Sequence, residues 1–560
     1  MSGNGFTPLH PGFVEVPDDD LEDDLEQPKA NGSAKPNGKA KRKAKAKSRE
    51  RRNTAKPLIR LQNGRLVENV AEAIDALEAY GLQIFDRGGQ LVRPVRLAET
   101  STAGGIKRPP GALVLRPVDP DWLRLRLADA ADFEKWDGRA EDFVTADPST
   151  TITRTIIAAP DEGNWPHLRA IARHPLLTLD GRRIEQSGYD VETGVLVDLD
   201  GEWPALPKDP TRDDAIAALA RTEHLVRHFP FVSDADRSAA ISMLMTPLQR
   251  PVLPTAPGHG VDAPAPGTGK SLLVDAGAIL ATGSEAPVLE YGADAEEAAK
   301  RLDGALLAGD PIIALDNIEA PVEGAALCQM LTQQTRRIRP LGSSIMANVP
   351  CAASVTFNGN NLTLRGDIVR RVLVARLDAR CEQPELREFD QDLLAEVRAR
   401  RGEIVRDLQT IMAAYIRAGR PNVKAPPLGS FGDWSRTVRN ALIWCGAADP
   451  VAVMERSRRE DPRRQAARAL LETWHDALGS TPAPLSVVIR AAEDAKPELR
   501  EALHGVASKA GKLDTGPLGK WCRSNRDLQC GDFVLRQDVS AKRPIQHWFV
   551  EAAPRRVTKG

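Results

Sequence analysis

The stretch APAPGTGKS at 263–271 carries the residue types of a phosphate cradle. Such a loop needs glycines so that successive backbone N–H groups can turn inward, a lysine to reach the β/γ-phosphates, and a hydroxyl to hold Mg²⁺. Gly267, Gly269, Lys270 and Ser271 meet those needs, with Pro266 and Thr268 inside the same turn. In the usual spacing, GxxxxGK followed by Ser or Thr, the first glycine falls on Pro264, so the match is partial. A second element of the same chemistry is PIIALD at 311–316, an apolar strand that delivers Asp316 to its C-terminal end, where open α/β sheets bind ligands. Asp316 follows Ser271 by 45 residues, with one helix between them, and is a candidate Mg²⁺ ligand. The next residue, where a second acid often orients the attacking water, is Asn317, and the nearest carboxylate is Glu319. Either Glu319 acts as the base from further along the chain, or hydrolysis is slow and the nucleotide acts more as a switch.

Three further groups follow. TRRIRPLGSSIMANV at 335–349 reads as a hairpin turning at LGSS, in which Thr335, Arg337 and Arg339 share one side and Arg336 falls with Ile338 on the other. Arg337 and Arg339 are placed to grip nucleic acid, or else form a solvated basic edge that discourages aggregation. The strand CAASVTF then runs into Asn358, Gly359, Asn360 and Asn361, polar residues suited to sensing a γ-phosphate or lytic water. Arg365, Arg370 and Arg371 come next and can serve as a finger on nucleotide held by a neighbouring subunit, or as structural ion-pair partners. Near the C-terminus, ARALLETWHDAL, SVVIRAAED and GPLGKWCRSNRDL read as helices, and DFVLRQDV and PIQHWFVE as strands around a basic SAKR turn. Helices followed by strand, turn and strand are the layout of a winged helix, in which Lys520, Arg523 and Arg526 face DNA while Lys542 and Arg543 on the wing touch phosphate.

Together, APAPGTGKS, IIALDN, the basic hairpin, FNGNNL and RGDIVRRVL resemble the P-loop ATPase module of replication proteins from bacteriophages and integrative elements, similar to superfamily 3 and AAA+ helicases and often fused to primases. The motifs span about residues 210–390, with looser similarity at GYDVETGVLVDL and PLGSFGDWSRTVRNALIWCG. The resemblance implies ATP bound by Gly267, Gly269, Lys270 and Ser271, Mg²⁺ organised by Ser271 and Asp316, sensing by Asn360, and a finger from Arg370 or Arg371 acting in trans. It implies a DNA helicase or translocase of a mobile genetic element, working as a homo-oligomeric ring with single-stranded DNA in its pore. No primase site is found, so a primase, if one is needed, can be a separate chain. The rival expectation is an ATP-binding oligomeric switch or regulatory scaffold with slow hydrolysis, which Asn317 favours.

These residues need an α/β scaffold. From about residue 210, helical segments alternate with short apolar runs, the pattern of a mostly parallel sheet. SLLVDAGAIL after the loop predicts a helix with Leu272, Leu273, Ala276, Ile279 and Leu280 on one apolar face, its N-terminus under the phosphates. EIVRDLQTIMAAYIRAG predicts another, with Ile404, Leu408, Ile411, Met412, Tyr415 and Ile416 on one side, as part of a helical lid. The expected division is a tail at 1–56, an α+β domain at 57–206, the P-loop ATPase core at 207–390, the lid at 391–460 and a winged-helix-like domain at 461–555. Within 57–206, DRGG marks a hairpin turn, and the Asp198/Asp200 pair in VDLDG reads as a turn rather than a metal site.

Net charge is −1, which by itself names no partner. Residues 15–26 hold eight acids, and residues 35–56 hold eleven Lys/Arg against one Glu, a composition that cannot build a core and reads as disordered. The basic block is suited either to nucleic acid or to solubility. The six cysteines form no CxxC pair, and free thiols in a reducing cytosol, bacterial or phage, are expected. Nothing approaches the roughly 18-residue apolar run of a membrane helix, so no membrane partner is expected.

Overall fold

The structure, a computed structural model, describes residues 6–7, 56–291, 295–340, 346–390, 392–494, 496–509, 512–539 and 545–553. At its centre lies a six-stranded sheet. Its strands, in chain order, are β1 (Ile106–Lys107), β2 (Gly258–Ala263), β3 (Val288–Glu290), β4 (Ile312–Ile318), β7 (Ser354–Asn360) and β8 (Val372–Arg376). A separate antiparallel pair, β5 (Thr335–Ile338) and β6 (Ala347–Pro350), forms the basic hairpin. The sheet order is β8-β2-β7-β4-β3-β1, with all neighbours parallel except β1, which pairs antiparallel to β3. Parallel strands are buried on both faces, which is why β4 opens as a continuous apolar run, IIAL, and why β7 is buried from Ser354 to Gly359 although its Ser354, Thr356 and Asn358 alternate with Val355 and Phe357.

Helices cover the sheet: α1 (Arg212–Leu225), α2 (Asp234–Gln249), α3 (Lys270–Thr282), α4 (Ala295–Ala308), α5 (Ala325–Thr332), α6 (Leu393–Ala399) and α7 (Arg401–Arg417). Thr211 and Asp214 form a reciprocal capping box that starts α1, and the Ser233 side chain accepts the Asp236 N–H to start α2. The α3 face departs from expectation at one place. Leu273, Ala276, Ile279 and Leu280 are buried, whereas Leu272 is 45% exposed because it faces a cavity beside the loop. The α7 stripe is buried from Ile404 to Tyr415, and it packs with α1 and Trp434 into the same apolar cluster as the sheet. Helix α7 is therefore a wall of the core.

The segment before residue 207 has its own apolar cluster, from Ile59 to Ile156, and also adds to the central sheet. Strand β1 closes the sheet edge beside β3. The DRGG hairpin forms as expected, with Phe85 opposite Val92, and its turn presses into the core: buried Arg87 donates to the Leu306 carbonyl, and Asn348 N–H donates to Gly88 O. Arg108 and Asp310 make a buried two-pronged ion pair at 2.8 and 2.6 Å. Asp198 is held by Arg96 at 2.7 Å, and Asp200 by Arg173 and Arg401 at 2.9 and 2.8 Å, so both carboxylates are engaged by arginines. Of the tail, Phe6 and Thr7 pair with Asp190 and Tyr189; the acidic and basic blocks lie outside the described residues.

Toward the C-terminus, α8 (Val453–Glu460) leads into α9 (Pro462–Leu478), α10 (Leu485–Asp494), α11 (Pro497–Ala507), α12 (Thr515–Ser524) and the antiparallel pair β9 (Phe533–Asp538) and β10 (His547–Ala552). A third apolar cluster, from Ala467 to Val550 and centred on Trp474 and Trp548, holds them together. Helix α11 was not expected from sequence, although Leu499, Leu503 and Ala507 fall on one face at four-residue spacing. Among the described residues no cysteine is paired, and no helix is long and apolar enough to cross a membrane.

Candidate functional site

Strand β2 ends at Ala263 and the chain turns through Pro264–Gly269 into α3. The turn requires left-handed backbone at Gly267 (φ 74°) and Gly269 (φ 91°), and Gly269 starts the helix without a side-chain cap. The first N–H groups of α3 thus have no intrahelical acceptor and point, with the positive end of the helix dipole, into the loop. A methyl group on Gly269 would lie 3.0 Å from the Phe229 ring, and one on Gly267 would lie 2.9 Å from the Glu385 carboxylate, so the loop is tightly bounded.

The strand order decides what faces this loop. Strand β7 lies between β2 and β4, and the two asparagines at its C-terminal end span the gap. Lys270 Nζ donates to Asn360 Oδ1 at 2.7 Å and to the Ala265 carbonyl at 3.3 Å. Asn358 Nδ2 donates to Ser271 Oγ at 3.3 Å, while Asn358 Oδ1 accepts the Asn317 N–H at 3.1 Å. One asparagine therefore ties the loop hydroxyl to the residue beside Asp316. The sequence singles out Asn360, yet on a strand Asn358 shares its side, so the same alternation marks both. Strand β4 is irregular here: its pairing with β7 shifts between Leu315 and Ile318, and Asn317 takes φ 49°. Asp316 lies in that irregular stretch and accepts the Asn317 N–H at 2.7 Å.

Burial pushes the Lys270 ammonium pKa down, and the charges of Asp262 and Asp316 oppose that. Asp262 sits beneath the loop, where burial raises its pKa; it accepts the Leu362 N–H at 2.8 Å and lies 3.6 Å from Arg376. The Ser271 hydroxyl and the Asp316 carboxylate are a hard-oxygen pair of the kind Mg²⁺ takes; Asn358 bonds the hydroxyl, and the Asn317 N–H is shared between Asn358 and the Asp316 carboxylate. Beside the loop is a cavity of about 260 Å³ walled by Leu225, Phe229, Leu272, Phe389, Leu393 and Leu394. Its apolar walls, with His228, Arg387 and Asp392 also in the lining, suit an aromatic base carrying polar edges.

The remaining expected residues lie elsewhere. Pro266 and Ser271 are exposed on the loop, and Thr268 is buried in it. Glu319 is exposed and bonds to none of the described residues. Arg370 pairs with Asp367 at 2.5 Å, Arg371 pairs with the same carboxylate, and Arg365 lies 3.6 Å from Glu323; none of the three bonds to the loop. Arg337 and Arg339 are exposed on the hairpin, whereas Arg336 binds Asp303 at 2.6 Å. The hairpin turn at 341–345 lies outside the described residues. Lys520 and Arg523 are exposed on α12, and Arg526 lies beside Asp527 at 3.6 Å. Lys542 and Arg543 fall outside the described residues.

No protein-family description and no curated protein sequence matches this chain. Among solved structures, the apo C-terminal region of NrS-1 aligns over 78% of this chain and 100% of its own, at 12% identity and a TM-score of 0.33. A JCV helicase with a bound small molecule aligns over 42% of this chain and 68% of its own, at 10% identity and a TM-score of 0.18. Likenesses of that size carry no weight below, which rests on the geometry of the loop and the strands around it.

Proposed function

We propose that this chain is a Mg²⁺·ATP-dependent motor on DNA, a helicase or translocase serving replication of a mobile element and working as a ring of identical subunits. The observation that carries the reading is the strand bearing Asn358 and Asn360 between the phosphate loop and Asp316, with Lys270 and Ser271 already bonded to the two asparagines. Sheet order and polar contacts together support the reading of a P-loop ATPase core. The amides of Gly267–Ser271 cradle the phosphates, and Lys270 moves from Asn360 to the β/γ-phosphates, leaving the Asn360 amide to sense the γ-phosphate or the water. Asn358 holds Ser271 toward Asp316. Bound between those two oxygens, Mg²⁺ would neutralise the phosphate charge that develops in transfer. The base enters the cavity, which Arg387, Phe389, Asp392, Leu393 and Leu394 cover as the working part of a lid.

Arg370 or Arg371, released from Asp367, is the finger that completes a neighbour's site. Arg337 and Arg339 ride on a hairpin suited to gripping a single strand in the pore. Helices α9 to α12 with the β9/β10 pair form a winged-helix-like unit, whose α12 presents Lys520 and Arg523 to DNA. A second reading, a nucleotide switch with slow turnover, is favoured by one feature: the residue after Asp316 is Asn317 in left-handed backbone, and the nearest acid, Glu319, points to solvent. DNA-stimulated ATP hydrolysis with strand displacement, abolished by Lys270→Ala, supports the motor. Tight ATP binding with negligible turnover supports the switch, and a Lys270→Ala chain that binds and hydrolyses ATP normally removes both.

A further inference from the structure

Between the core and the C-terminal unit runs a cleft of about 930 Å³, whose lining includes Arg370 and Arg458 from the core side, Arg463 and Arg464 at the start of α9, Trp521 of α12 and Asn525 just after it. The sequence around it, RSRREDPRRQAAR at 456–468, is rich in arginine and spans the end of α8 and the start of α9. The carboxylates in the cleft are already occupied. Asp461 caps α9, accepting the Arg463 N–H at 3.0 Å, and also takes the Gly366 N–H at 3.4 Å. Asp367 is held by Arg370 and Arg371. Arg458 and Arg463 have partial partners in Glu455 and Glu323, but Arg464 is exposed and bonds to none of the described residues. The lining thus holds an excess of guanidinium together with a half-buried tryptophan.

A groove that combines positive charge with an aromatic ring is the kind that takes single-stranded nucleic acid, phosphates to the arginines and a base on the ring. We infer that this cleft is a second nucleic-acid site, which binds the backbone of a single strand through Arg464 and Arg458 with a base against Trp521. It uses the side of α12 that carries Trp521, with Asn525 just beyond the helix end, next to the Lys520/Arg523 face proposed to meet duplex DNA. The two sites can hold different stretches of one substrate, duplex on the outer face and the separated strand in the cleft.

The test uses the full chain without nucleotide and a fluorescent oligothymidylate, titrated by anisotropy across a range of salt, with a hairpin duplex in parallel. Arg464→Ala is expected to weaken single-strand binding roughly three- to tenfold and to reduce the log–log salt slope by about 0.7, the loss of one phosphate contact. Arg464→Lys should recover most of both, since it restores the charge, and Arg458→Ala should add to the loss. Unchanged single-strand affinity and slope, or a loss confined to the duplex, overturns the inference. Because binding is read without ATP, failure of the Lys270 assay would leave this outcome standing, and the reverse holds equally.

Discussion

The Asn360 amide holds the Lys270 ammonium 2.7 Å away, in a site where burial already works against the charge. Without that partner the lysine keeps its place in sequence but loses its aim. Asn360→Ala is expected to lower kcat for ATP hydrolysis on the order of 10- to 100-fold, because a catalytic group displaced by about an ångström loses that much. Its Tm should change little, since Asn360 is exposed at the strand end. Thermal melting alongside steady-state hydrolysis checks both halves, and an unaltered kcat would remove Asn360 from the site. Two buried histidines make a separate prediction about pH. Burial pushes His174 down to about 4 and His259 down to about 3, against an ordinary value of about 6.5. In the unfolded chain both take up protons as pH falls below about 6.5, while the folded chain keeps them neutral until about 4 and 3, so stability present at neutral pH is lost across that window. Each contributes a slope on the order of 1 kcal/mol per pH unit. His259→Gln should flatten the fall in Tm between pH 6.5 and 4 as followed by calorimetry.

At the scale of elements, β7 must pass close to β4 for its asparagines to reach both the loop and the aspartate strand. Gly359 permits that approach: a methyl group there would lie 2.6 Å from the Ile318 carbonyl oxygen. Gly359→Ala is expected to cost about 1–3 kcal/mol, as overpacking does, and to weaken nucleotide binding by pushing Asn358 and Asn360 off their partners. Urea unfolding and nucleotide titration measure the two effects; a variant that loses stability but binds ATP normally would separate the strand spacing from the site. Much of this was legible in sequence. The loop, α3, β4 and β7 follow from apolar runs closed by Gly, Asp and Asn. The irregularity in β4 was not, because Asn317 turns left-handed through a register shift that no periodicity records. Nor was the exposure of Leu272, since helical spacing marks it as apolar without saying that a cavity, rather than the core, lies opposite. Arg387, Phe389, Asp392, Leu393 and Leu394, which wall that cavity, fall in a stretch of mixed composition that carries no local signal of its position.

For the molecule as a whole, the segment before residue 207 is bound to the core by contacts that sequence could not pair: Arg108 with Asp310, Arg87 with the Leu306 carbonyl, Arg401 with Asp200. Partners some 200 positions apart meet only through the fold. Burial alone raises the Asp310 pKa, and Arg108 is what makes its charge tolerable. Arg108→Ala leaves a buried carboxylate unpaired and is expected to destabilise by about 3–5 kcal/mol, read by denaturant unfolding. Arg108→Ala combined with Asp310→Ala should recover part of that loss, and an additive double variant would show that the pair is not coupled.

Strand β1 has one more effect, which concerns solubility. By occupying the outermost rung beside Val288–Glu290, it hides a row of amides and carbonyls that another polypeptide would otherwise recruit. A truncated protein starting at residue 207 should therefore stick to copies of itself and elute from a sizing column as broad, concentration-dependent assemblies. If it instead runs as one sharp species, the outer rung is protected by something other than Ile106 and Lys107.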